Sequence, residues 1–314
     1  MVLSFLCAGP AAAQETRAEK TGAAPAARPL LSETPSRPWS ALLAAGLSSD
    51  SNIARLLTNS AAPCDTNIKD NLVYKNAEFS VFPFGKAAWK LELSGAAEAR
   101  DYRAHRNFSY RYDSLAAGLS RAVGGGFTLE LDGGFAWAGD KAGAISDARR
   151  AGAALAWRGP ARLRVKAGYE YESDRVFVNR LKDGESHAAF ARISRPLAGG
   201  HTGFVSARLQ ARSAAGPNYA YRSASLTAGA VSRWSQAFRT ALTAQLAARG
   251  YSNTDTRFLK KRRDRTVSVS FKPSLELGRG LAAAGSASLV SGASNVAGKS
   301  YKARLFSLGL EWRF

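Results

Sequence analysis

Phe306-Ser307-Leu308-Gly309-Leu310-Glu311-Trp312-Arg313-Phe314 puts every large apolar side chain on one parity and Ser307, Gly309, Glu311 and Arg313 on the other. Successive side chains of an extended chain point to opposite faces, so a period of two predicts a strand with one apolar and one polar side. The alternation recurs upstream. Leu163, Val165, Ala167, Tyr169 and Tyr171 oppose Arg162, Arg164, Lys166, Glu170 and Glu172. Phe127, Leu129, Leu131, Phe135 and Trp137 oppose Glu130 and Asp132, and Trp89, Leu91 and Leu93 oppose Lys90 and Glu92.

Segments of this kind fall near 39–48, 72–84, 87–102, 108–122, 127–138, 148–158, 161–172, 187–195, 202–212, 219–233, 238–250, 265–275, 281–291 and 302–314. The stretches between them alternate long and short, beginning with 49–71, 83–86, 103–107 and 123–126 and later including 139–147 and 251–264. Short turns at one end and longer loops at the other are the mark of a transmembrane barrel, and hydrocarbon forces two-faced strands to close so that no backbone amide is left unpaired. The fold expected is therefore all-β, a transmembrane antiparallel up-and-down β-barrel of about fourteen strands. A soluble β-sandwich that binds acidic glycans is the alternative, because alternation alone does not separate the two.

Composition excludes other classes. The chain has 314 residues and a formal charge of +20, with mean hydropathy −0.21. No stretch approaches the roughly eighteen apolar residues of a spanning helix. Most basic residues stand singly between apolar neighbours instead of clustering with aromatics, which argues against nucleic acid. Only Cys7 and Cys64 occur, and Cys7 lies in a segment expected to be removed, so no disulfide is expected in the mature chain.

Val2 to Leu6 is apolar and Ala11-Ala12-Ala13 precedes Gln14, the small-x-small form of an export cleavage site. Residues 1–13 are expected to be a signal peptide, truncated at its start because a basic leader is missing. Residues 14–38, with Pro25, Pro29, Pro35 and Pro38, have no core-building periodicity and read as a periplasmic tether; the barrel occupies 39–314. Location in a bacterial outer membrane with the amino terminus in the periplasm follows.

Function is expected in the lumen. The inward basic candidates are Arg150, Arg158, Arg162, Arg164, Lys166, Arg208, Arg212, Arg222, Arg233, Arg239, Arg249 and Arg304, with Arg313 beside the carboxy terminus. Rings of Arg and Lys favour anions in a pore, which suggests a porin-like channel for small anionic solutes; cross-strand pairing with acids such as Glu130, Asp132, Glu170 and Glu172 is the plainer reading. Lys260, Lys261, Arg262 and Arg263 fall in an expected outer loop, where lipopolysaccharide phosphates would meet them. Trp39, Phe82, Phe84, Tyr102, Tyr110, Tyr112, Trp137, Trp157, Trp234, Tyr251 and Trp312 are candidates for two interfacial girdles. A final aromatic on an alternating strand, Trp312 and Phe314 here, resembles the signal read by the barrel assembly machinery.

No enzyme or cofactor is expected. The histidines are His105, His187 and His201, and Ser186 and His187, being adjacent on a strand, face opposite sides. Asp50, Asn52 and Asp65 could hold calcium but read more simply as loop polarity.

Two further stretches resemble the barrel of the surface lipoprotein assembly modifier family. Gly46-Leu47-Ser48-Ser49-Asp50-Ser51-Asn52-Ile53-Ala54-Arg55 is similar to the Asp-x-Asn-hydrophobic stretch after that family's first strand. Arg262-Arg263-Asp264-Arg265, Ser291-Gly292-Ala293-Ser294-Asn295 and Leu308 through Phe314 resemble its last three strands. The resemblance covers most of residues 39–314 and implies an outer-membrane barrel that assists a client lipoprotein to the cell surface. Members carry helical repeats ahead of the barrel, and residues 14–37 are too short and Pro-rich to supply one.

Overall fold

Each of the fourteen expected segments forms a strand in the computed structural model, which describes residues 38–53, 68–84, 89–140, 143–256 and 258–314. The strands are β1 Trp39–Asp50, β2 Asp70–Phe84, β3 Trp89–Tyr102, β4 Tyr110–Gly124, β5 Phe127–Asp140, β6 Gly143–Arg158 and β7 Arg164–Val176. They continue as β8 Gly184–Pro196, β9 His201–Ala214, β10 Tyr221–Arg233, β11 Phe238–Asp255, β12 Lys260–Gly278, β13 Leu281–Ser294 and β14 Tyr301–Arg313. Each pairs antiparallel with its sequence neighbours, and β14 returns to β1 to close the ring. The expected signal peptide at 1–13 and all but the last residue of the expected tether at 14–38 lie outside the described residues.

Exposure separates barrel from sandwich. Leu47 is 68% exposed, Leu308 69%, Leu209 63% and Phe135 59%, while the inward faces carry Glu130, Lys166, Glu170 and Arg208. An apolar surface outside and charge inside would be unstable in water and is what hydrocarbon demands.

Turns at one end are tight: residues 125–126 join β4 to β5, with Gly124, Gly125 and Gly126 all at positive φ, and 279–280 join β12 to β13. Loops at the other end are longer, as in 103–109 between β3 and β4, but two expected loops are corrected. Residues 139–147 are mostly strand, and 251–264 shrink to four connecting residues because β11 and β12 run to 18 and 19 residues. About ten residues suffice to cross a bilayer, so this hairpin extends beyond the lipid, where the outward face need not be apolar and alternation fades.

Five of the six tryptophans mark the turn end. Trp39, Trp89 and Trp157 end or begin strands, Trp234 sits in the β10–β11 turn, and Trp312 stacks on Phe314 with ring centroids 4.9 Å apart. These form one girdle; Trp137 lies outward toward the loop end. Tyr102, Tyr110, Tyr112 and Tyr251 do not join a girdle, because their register sets them on the lumen face.

Candidate functional site

Directly opposed residues of neighbouring strands share a face, so the register assigns every side chain to lipid or lumen. Exposed Leu47 faces Leu308 and Val73; Ala153 faces Leu131 and Tyr169; Leu226 faces Ala207 and Leu246; Leu289 faces Val269. The opposite parity lines the lumen. There the structure brings together Arg150, Arg158, Arg164, Lys166, Arg208, Arg212, Arg233, Arg239, Arg249 and Arg313.

Three expected lumen residues are corrected. Arg162 sits in the β6–β7 turn at φ 56°, not in a strand. Arg222 shares parity with exposed Leu226, and Arg304, opposite Leu289, shares it with exposed Phe306, so both point outward. Inward Arg192, opposite Lys166, and Lys272, opposite Ala241, were missed although their alternation marks them. Lys260 to Arg263 belong to β12 rather than a loop. Arg262 faces inward and is buried at 2% exposure, paired with Asp264 at 2.7 Å beneath the Tyr251 ring.

Across β5 to β9 the lumen charge is largely neutralised. Lys166 pairs with Glu130 at 2.6 Å, Arg208 with Glu170 at 2.5 Å, and Arg212 grips both oxygens of Asp174 at 2.8 Å while donating to the Lys182 carbonyl at 2.6 Å. Toward the turn end the arrangement reverses. Arg158 stands directly opposite Arg164, and Arg233 directly opposite Arg239. Like charges so placed repel. Buried Nε atoms of Arg192 and Arg239 have no hydrogen-bond partner among the described residues.

At the loop end the chain packs a small apolar cluster against the β1–β3 wall. Ile53 donates its N–H to the Ile68 carbonyl at 2.8 Å, which carries its buried side chain against Leu72 and Tyr102. On the β10–β11 wall Arg249 lies over Tyr221, 4.4 Å from the ring centroid, and Tyr221 packs on Tyr251 at 5.9 Å. The Asp-x-Asn stretch fastens the seam between first and last strands. Asn52 donates its backbone N–H to Asp50 Oδ1 at 3.0 Å and its side-chain amide to the Lys302 carbonyl at 3.1 Å; Asp65 lies outside the described residues. Ser186 faces the lumen while His187 faces outward and hydrogen-bonds Tyr169, so the two do not meet.

A closed antiparallel barrel with apolar exterior, charged lumen and aromatic girdle defines an outer-membrane protein of porin type. Within that class, the chain belongs to the surface lipoprotein assembly modifier family, whose model matches residues 75–276, from within β2 to within β12. Among solved structures it is similar to the outer membrane channel DcaP of Acinetobacter baumannii, at TM-score 0.54 and 9% identity over 88% of this chain and 96% of that one. It is also similar to the outer-membrane expressed OmpT of Vibrio cholerae, at TM-score 0.51 and 8% identity over 88% of this chain and 97% of that one. At such identities the likeness concerns the fold alone. No curated protein matches the chain.

Proposed function

We propose that this barrel is the membrane-spanning part of an apparatus that assists a lipoprotein to the cell surface. The observation that carries the reading is the family match of the barrel itself, covering residues 75–276. Deleting the gene and measuring protease accessibility of a co-encoded lipoprotein on intact cells tests it. Display should fall; unchanged display overturns the reading.

The opposed arginines favour a second reading, an anion-preferring channel. Arg158 with Arg164 and Arg233 with Arg239 would concentrate anions at the turn-end mouth, as rings of basic residues do in pores. Reversal potentials in planar bilayers under a KCl gradient would then report anion preference, and a silent inserted barrel would reject it.

A further inference from the structure

The outward faces of the barrel are not alike at the loop end. On β10, β12 and β14 they carry Arg222, Lys261, Arg263, Arg265, Lys302 and Arg304, all exposed. None of these six side chains has a carboxylate within ion-pair distance among the described residues. From His201 onward the only acids are Asp255, Asp264, Glu276 and Glu311. Asp255 is buried at 2% exposure, and the other three lie on the lumen parity. The opposite wall differs, for there outward Arg111 pairs with Asp113 at 2.8 Å, and Asp147 stands directly opposite Arg175.

Geometry suits a phosphorylated ligand lying along the wall. Arg222, Gly250 and Arg263 are in register across three strands, and the space over Gly250 is open, with nothing within 4 Å of where a Cβ would stand. Two guanidinium groups therefore flank an empty notch. Immediately below lie exposed Leu226, Leu246, Val267, Leu289 and Phe306, the apolar band that meets acyl chains. A ligand with phosphate above and acyl chains below matches both, and a guanidinium fork suits phosphate oxygens.

We infer that the β10–β14 outer face is a binding site for the phosphorylated lipid of the outer leaflet, lipid A. The inference rests on the outer-membrane reading, with the loop end at the cell surface. The lipid is held by the exposed arginines and seats against the wall next to the β1–β14 seam, while the charge-mixed opposite wall does not select for it.

The test uses the full-length barrel extracted from outer membranes in mild detergent. Retained lipid A is quantified by mass spectrometry for the wild type, for R222Q/R263Q/R265Q/R304Q, and for the opposite-wall control R111Q/R149Q/R175Q. Unheated gel mobility confirms the fold of each, and a quadruple Arg-to-Lys variant preserves charge. Retention should fall at least roughly tenfold in the Gln variant and remain in the other two. Added lipid A should rebind, whereas dephosphorylated lipid A, phosphatidylglycerol vesicles and inorganic phosphate should not compete. Equal retention in all variants, or equal competition by phosphatidylglycerol, overturns the site. Thr256→Cys in a Cys64→Ser background, probed on intact cells with an impermeant maleimide, separates the premise. Failure to label overturns the orientation and with it the choice of lipid; labelling with unchanged retention overturns the patch alone.

Discussion

Tyr74 reaches across β1 to lie over Gly309. Tyr74, Gly46 and Gly309 are in register on β2, β1 and β14, and a Cβ on Gly46 would stand 2.7 Å from the Tyr74 hydroxyl and 2.6 Å from the Gly309 Cα. A Cβ on Gly309 would collide with the same hydroxyl. The two glycines thus leave a slot on the lumen face, and one tyrosine fills it across the junction of the first and last strands.

Filling that slot should loosen closure. Gly309→Val forces Tyr74 out and overpacks the seam, a cost of about 1–3 kcal/mol. Urea unfolding followed by gel mobility should show a lower midpoint for this variant, while Tyr74→Phe, which keeps the ring, should stay near wild type. An unchanged midpoint in Gly309→Val would mean the seam does not pack this way.

The seam's loop end should be equally sensitive. Asn52 is buried, and its side chain satisfies the Lys302 carbonyl. Asn52→Leu leaves that carbonyl without its donor, at about 1–3 kcal/mol. Thermal unfolding measured by circular dichroism should shift downward, and Ser48→Ala, whose hydroxyl bonds Phe306 O from a more open position, should shift it less.

Lumen ion pairs should differ by burial. Asp174 and Arg212 are 7% and 12% exposed, against 42% and 37% for Glu170 and Arg208. Asp174→Ala strands a buried guanidinium and should cost about 3 kcal/mol. Glu170→Ala breaks a solvated pair worth under about 1 kcal/mol. Equal losses in denaturant titrations would mean the whole lumen is equally wet.

Trp312 and Phe314 stack outward at the end of β14. If they are the feature read during insertion, the double variant Trp312→Ala/Phe314→Ala should accumulate several-fold less in outer membranes yet refold into detergent when purified. Normal accumulation in cells would remove that role.

Most of this architecture was legible because lipid imposes a strict period of two, and segments such as 163–171 record it residue by residue. The lumen assignments of Arg164, Lys166, Arg208 and Arg212 follow from parity alone. Arg222 and Arg304 were misassigned by weighting charge above parity: each shares its face with an exposed apolar residue, Leu226 or Phe306, and lies above the lipid where outward charge is tolerated. Only the outer part of the β11–β12 hairpin, residues 251–264, reads as loop in the sequence, for a related reason. Beyond the hydrocarbon the outward face need not be apolar, so Thr254, Asp255 and Lys260 to Arg263 carry no apolar stripe to betray it. Nor does composition disclose which partner each lumen arginine meets, since Arg212 finds Asp174 only through the register of β7, β8 and β9.

Closure of β14 onto β1 is the claim on which lumen, seam and outer wall all depend, and Leu47 directly opposite Leu308 is its plainest expression. Oxidative cross-linking in isolated outer membranes, in a Cys64→Ser background, tests it directly. Leu47→Cys should form a disulfide with Leu308→Cys and not with Ser307→Cys, which faces the lumen. Absence of the first cross-link, or equal yield of both, would contradict the closed barrel in this register.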